Sequence, residues 1–120
     1  MLKKSLAAIP AFTAGDETRL KEVLHPKNDP VDLAYSLAHA ELEPGRQSLP
    51  HRLLGRSEVY YILSGTGEAY AGGERVLLVP GDVVLIPAGV EQYVVNTGRE
   101  MLRFLCLVSP PWREEEERVE

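Results

Sequence analysis

Short apolar-rich runs recur along most of the chain. Leu33–Leu42, Glu58–Leu63, Glu68–Ala71, Arg75–Val79, Val83–Ile86, Gln92–Asn96 and Met101–Val108 are rich in Val, Leu, Ile and Tyr and read as strands. Turn residues separate them, at Pro44-Gly45, Gly65, Gly72-Gly73, Pro80-Gly81, Gly89 and Gly98. Gly72-Gly73 predicts a two-residue hairpin, since both positions tolerate positive φ. One stretch reads otherwise. Asp16 to Leu24 has an acidic start and carries Leu20, Val23 and Leu24 at helical spacing, which predicts one or two turns of helix ended by Pro26 and Pro30. Short strands without a long helix predict a β-sandwich or a closed barrel, and the pattern alone does not choose between them. The expected division is an N-terminal extension and loop over residues 1–32, a β-barrel over 33–112 and an acidic tail over 113–120.

Composition narrows the function classes. A chain of 120 residues fits one domain with a real but limited core. Thirteen basic residues against eighteen acidic ones give a net charge of −5, which argues against nucleic acid as the main partner. The segment Arg113–Glu120 carries a net −3 of this, and it is expected to be a solvated tail, frayed or weakly helical. The single cysteine, Cys106, excludes an intrachain disulfide and any multi-cysteine metal site, and it reads as a small buried hydrophobe. The apolar run Leu6–Phe12 is interrupted by Pro10 and lacks a small-x-small cleavage site, so no signal peptide is expected. No run approaches the ~18–20 apolar residues of a membrane span. The expectation is therefore a cytoplasmic protein without a membrane partner. There is no phosphate-binding Gly-rich loop, no Gly-x-Ser-x-Gly elbow and no His-Glu-x-x-His helix.

Two segments stand out as a pair. The first carries Gly45, His51, Leu53, Glu58 and Gly65, and the second Gly81, Pro87, Gly89, Gln92 and Asn96. Their spacing resembles the two signature motifs of the cupin superfamily, and the short spacer Thr66–Pro80 resembles that of its small single-domain members. The resemblance covers roughly residues 33–110. It implies an all-β fold, the cupin double-stranded β-helix or jelly-roll barrel, here with a short N-terminal extension. It also implies a homodimer formed by sheet packing, with which the apolar residues on both faces of several strands agree.

The chemistry of the pair can be read from strand parity. Residues two apart on a strand share a face, so His51 with position 53, Glu58 with Tyr60, and Gln92 with Asn96 can aim at one point inside a barrel. The glycines and Pro87 read as fold markers. The resemblance implies a metal held by three histidines and a glutamate. Leu53 and Gln92 stand where the second and third histidines belong. A leucine cannot coordinate, and a glutamine carbonyl is a weaker donor than imidazole. A divalent metal (Zn, Fe, Mn or Ni) held by His51, Glu58, Gln92 and water is one expectation. A metal-free pocket in which His51, Glu58 and Gln92 hydrogen-bond one another is the other.

The remaining candidates weigh as follows. Tyr60 either lines the cavity or packs in the core, whereas Tyr61 and Tyr93 have the opposite parity and face between sheets or subunits. His39 shares a face with Tyr35, Leu37 and Glu41 and is expected to point away from the site, and His25 sits in a proline-bounded surface turn. Arg46 and Arg52 read as solvated rim charges, and Trp112 as packing back on the body or on a partner subunit. Three functions follow. The foremost is a small cupin binding a small polar molecule in the barrel, with His51, Glu58, Tyr60 and Gln92 as the pocket. The others are a metal-dependent cupin enzyme of dioxygenase, decarboxylase or sugar-isomerase type, and a metal-free structural or ligand-binding barrel.

Overall fold

Alternation of side chains across each strand decides which residues meet inside. The computed structural model describes Met1–Glu120. Eleven strands follow in order: β1 (Phe12–Thr13), β2 (Arg19–Leu24), β3 (Ser36–Leu42), β4 (His51–Leu53), β5 (Ser57–Ser64), β6 (Gly67–Ala71), β7 (Glu74–Leu78), β8 (Val83–Ile86), β9 (Gln92–Asn96), β10 (Leu102–Ser109) and β11 (Glu117–Val119). They form two antiparallel sheets, one ordered β1-β2-β3-β10-β5-β8 and the other β11-β4-β9-β6-β7. The fold is all-β, as the strand pattern predicts, with only two single-turn 3-10 helices, Leu6–Ala8 and Glu114–Glu116. The hairpin at Gly72-Gly73 forms as expected: both residues have positive φ, 56° and 83°, and Ala71 pairs with Glu74 across it.

Two expectations from the sequence are corrected. The stretch read as a helix, Asp16–Leu24, contains strand β2, which pairs along β3. The register shifts between Glu22 and Leu24, so Val23 is the extra residue of a bulge. A bulge breaks strict alternation and places apolar residues three and four apart, which imitates helical periodicity. The acidic tail is not frayed. Its last residues form β11 against β4, pairing Glu117 with Leu53 and Val119 with His51. Local charge gave no hint of this pairing, because the partner strand lies more than sixty residues away.

The inner faces pack unevenly along the barrel. Ile62, Leu78, Ile86 and Leu102 are all but fully buried and fill one end. Each such side chain contributes ~1.5–3 kcal/mol by leaving water. The edge of Tyr60 meets the face of Phe104 at a centroid distance of 5.3 Å in the same core. Asn96 ties the turn at the packed end, donating to the carbonyls of Leu42 and Glu100 at 2.8 Å while accepting from the Gly98 amide at 2.9 Å. At the other end the inner face of β3 offers only Ser36 and Ala38. Small side chains there leave the barrel hollow, and the polar residues of β4 and β5 face the hollow.

Candidate ligand pocket

The hollow is a cavity of about 100 Å³. β4 supplies His51 and Leu53, β5 supplies Glu58 and Tyr60, and Val94, Phe104, Cys106 and Val108 complete its inner wall. The N-terminal hairpin and the C-terminal segment form the mouth, through Phe12, Asp16, Trp112 and Glu117. Three of the four residues expected in the pocket therefore line it, and the fourth is a correction. Gln92 pairs in register with His51 but stands behind the cavity wall. Its side-chain oxygen accepts the Tyr60 hydroxyl, and its amide hydrogen-bonds the Glu58 carboxyl. Tyr60 both lines the cavity and belongs to the buried core.

His51 is held in one orientation. Its Nδ1 lies 2.8 Å from the Leu49 carbonyl, which can only accept, so Nδ1 carries the proton. Nε2 then faces the cavity with Asp16 Oδ2 3.6 Å away, beyond hydrogen-bond reach. Asp16 is positioned by its own turn: Oδ1 accepts the Thr18 amide at 3.1 Å, and its carbonyl accepts the Leu49 amide at 2.7 Å. The neighbouring Glu17 has φ of 71°, a conformation non-glycine residues seldom adopt. Across the mouth, the Trp112 indole donates to Glu117 Oε2 at 2.7 Å, and the Trp112 amide donates to Ser36 Oγ at 2.9 Å.

Burial governs the acidities. Desolvation pushes the Glu58 carboxyl up from 4.5 to about 7; attraction to His51 opposes the rise and the negative charge of Asp16 adds to it. The Tyr60 hydroxyl and the Cys106 thiol are both raised well above their usual ranges, first by burial and then by Glu58. Cys106 is accordingly a buried thiol and not a nucleophile. A carboxyl that titrates near neutrality beside an oriented imidazole is a competent proton donor or acceptor.

The residues present do not suit a transition-metal ion. Nowhere do three His, Cys, Asp or Glu side chains converge as a metal would need. Leu53 fills one ligand position with a buried apolar side chain, and the Gln92 oxygen is already used by Tyr60. Only His51 and Glu58 remain of the expected donors, and two donors fall short of the three protein ligands an open site uses.

The other two histidines are structural. His25 accepts the Lys27 amide on Nδ1 and holds the Trp112 carbonyl at 2.7 Å through Nε2, so it latches the C-terminal segment. His39 lies on the opposite face of β3 from Ser36 and Ala38, buried, with Nδ1 unpaired and its basicity lowered by desolvation. Tyr93 stacks on Tyr70 at 4.6 Å, Tyr61 is exposed, and Arg52 pairs with Glu120 at 3.1 Å.

This geometry has known counterparts. The model of the cupin domain matches residues 38–108. The chain belongs to the cupin family. An uncharacterized protein of Methanocaldococcus jannaschii is 29% identical over 119 residues, spanning 99% of this cupin and 94% of the relative. An oxalate-binding protein of Thermotoga maritima is 34% identical over 88 residues, 73% of this cupin and 68% of the relative. Among solved structures, PAC13 of Streptomyces with uridine superposes with a TM-score of 0.79 at 19% identity, covering 100% of this cupin and 91% of that chain. At that identity the likeness speaks for the cupin β-barrel alone. No helix of this cupin is long and apolar enough to cross a membrane.

Sequence reasoning missed Asp16, Glu117 and Phe12 as cavity residues. Asp16 was legible as a turn residue, two before the amide it caps, but that signal says nothing of a site. Glu117 sat in a charge run whose pairing partner only the fold reveals.

Proposed function

We propose that this cupin binds a small polar molecule in the open end of its barrel without a metal. The observation that carries this reading is the unmatched pair at its centre: His51 Nε2 and Asp16 Oδ2 face each other at 3.6 Å in a cavity, beside a Glu58 that exchanges its proton near pH 7. A packed structural barrel has no use for such groups, because burying them without partners is costly. The same couple could move a proton on the bound molecule, with Glu58 and His51 as acid and base. The reading is tested by thermal-shift screening of small metabolites against wild type, His51→Ala and Glu58→Gln. Ligands that raise the wild-type Tm are expected to lose most of their shift in both variants, an effect of about 10-fold or more in Kd. Shifts that survive both substitutions would place binding elsewhere and end the proposal.

A second copy of the chain is the partner we propose for the outer face of the first sheet. Tyr61, Leu63, Val83 and Leu85 are exposed there on β5 and β8, and a two-fold axis pairs such a patch with itself. The polar Arg103–Glu41 pair, 3.1 Å apart, flanks the apolar row on the same sheet. Light scattering after size exclusion is expected to give twice the chain mass, and Leu85→Glu to give a monomer. A wild-type monomer at micromolar concentration would refute the dimer.

A further inference from the structure

The cavity has an unbalanced chemistry. Asp16, Glu22, Glu58 and Glu117 line it, with His51 as the only base and no lysine or arginine among the lining residues. Glu22 is spoken for, by Asn28 and by Lys27 at 3.3 Å, and the Lys27 ammonium sits over the outer Trp112 ring at 5.1 Å. The other three carboxyls have no lysine or arginine partner. Even a fully protonated His51 leaves them in excess.

Three lining side chains are each half-satisfied in the same sense. Asp16 uses Oδ1 on the Thr18 amide and leaves Oδ2; Glu117 uses Oε2 on the Trp112 indole and leaves Oε1; His51 uses Nδ1 on Leu49 and leaves Nε2. The free atoms are all acceptors, and His51 is only 4% exposed, so bulk water does not readily satisfy it. Asp16 and Glu117 are neighbours at the mouth: a Cβ built on Gly15 would lie 3.3 Å from Glu117 Oε1. Around these atoms the walls are apolar, from Phe12, Leu20, Phe104 and Val108.

An ammonium group carries three donors and one positive charge, which answers three free acceptors and a carboxylate excess together. A carboxylate ligand would instead meet like charge with no basic residue to receive it. From this geometry we infer that the cavity takes a small primary amine, its ammonium among Asp16, Glu117 and His51 and its apolar body against Phe12 and Phe104. The inference rests on the ligand-binding reading of the same cavity and names the class of ligand.

Three molecules with a common apolar body separate the possibilities: 2-phenylethylamine, 2-phenylethanol and phenylacetate, titrated calorimetrically into wild type, Asp16→Asn and Glu117→Gln near pH 8, with circular dichroism confirming that the variants fold. The amine is expected to bind wild type about 10-fold or more tighter than the alcohol, with phenylacetate weakest, and each variant is expected to weaken the amine about 10-fold while leaving the alcohol unchanged. Phenylacetate binding as tightly as the amine would overturn the amine assignment; if that binding also falls in His51→Ala, the pocket itself stands. Amine affinity unchanged in both carboxylate variants would overturn it equally. No binding of any of the three to wild type likewise rejects the amine class, while hits lost in His51→Ala and Glu58→Gln from the wider screen would still uphold the pocket.

Discussion

Glu58→Gln is expected to match the wild type in stability below about pH 4.5 and to exceed it by about 3 kcal/mol above pH 7. The sign follows from proton counting. In the unfolded chain Glu58 titrates near 4.5, whereas in the folded barrel burial, with the charge of Asp16 adding to it, raises it to about 7. Between those values the folded protein holds a proton that the unfolded chain has released. Stability therefore falls as pH rises through this window and levels off above it. Glutamine stays neutral throughout and escapes the penalty. Urea denaturation of both proteins at intervals from pH 4 to 8 reads the effect as a difference that grows with pH. His51, Asp16 and Glu117 titrate in both proteins, so they cancel to first order. A difference that is constant across the range would show that the Glu58 carboxyl is not held neutral by its surroundings. If the variant also loses ligand binding while gaining stability, Glu58 is kept at a cost to the fold, the usual mark of a functional group.

What the sequence made legible, and what it did not, divides along the reach of the physical signals. Strands β5 to β10 announce themselves because alternation, β-branched residues and turn glycines are local signals, and the same chain segments form them. Parity also puts Ser36 and Ala38 on one face of β3 and His39 on the other, which is how the strand sits. β2 was illegible because its bulge at Val23 spoils the period on which the reading depends. β11 was illegible because a three-residue strand of Glu-Arg-Val has no apolar pattern of its own and exists only by pairing with β4. The site divides in the same way. His51, Glu58 and Tyr60 belong to strands whose parity is local, and the cavity gathers all three. Gln92 has the right parity but is screened by Tyr60, a packing outcome that no spacing rule contains. Asp16 and Glu117 reach the mouth from the two ends of the chain, so their role depends on tertiary contacts alone.

Restoring imidazole at two positions is expected to turn the pocket into a metal centre. His51 and Leu53 share a face of β4, and Gln92 is the register partner of His51 on β9. Leu53→His combined with Gln92→His therefore supplies three imidazoles and the Glu58 carboxylate, a donor set that Zn²⁺ or Ni²⁺ accepts. Purified without a His tag and dialysed against Zn²⁺, the double variant is expected to hold about one ion per chain with Kd at or below ~1 μM, near −8 kcal/mol. The wild type is expected to hold less than ~0.1 equivalent under the same conditions, because two donors do not close a site. Removal of the Gln92 amide also frees the Tyr60 hydroxyl and the Glu58 carboxyl, which they would otherwise hold through it. The metal-bound variant should be stabilised in proportion to metal concentration, and chelation should remove the gain. Near-stoichiometric metal in the wild type would show that His51 and Glu58 recruit a ligand this geometry does not offer, and the metal-free reading of the pocket would fall with it. Metal in the double variant alone would locate the difference from the three-histidine arrangement in two side chains, with the barrel itself unchanged.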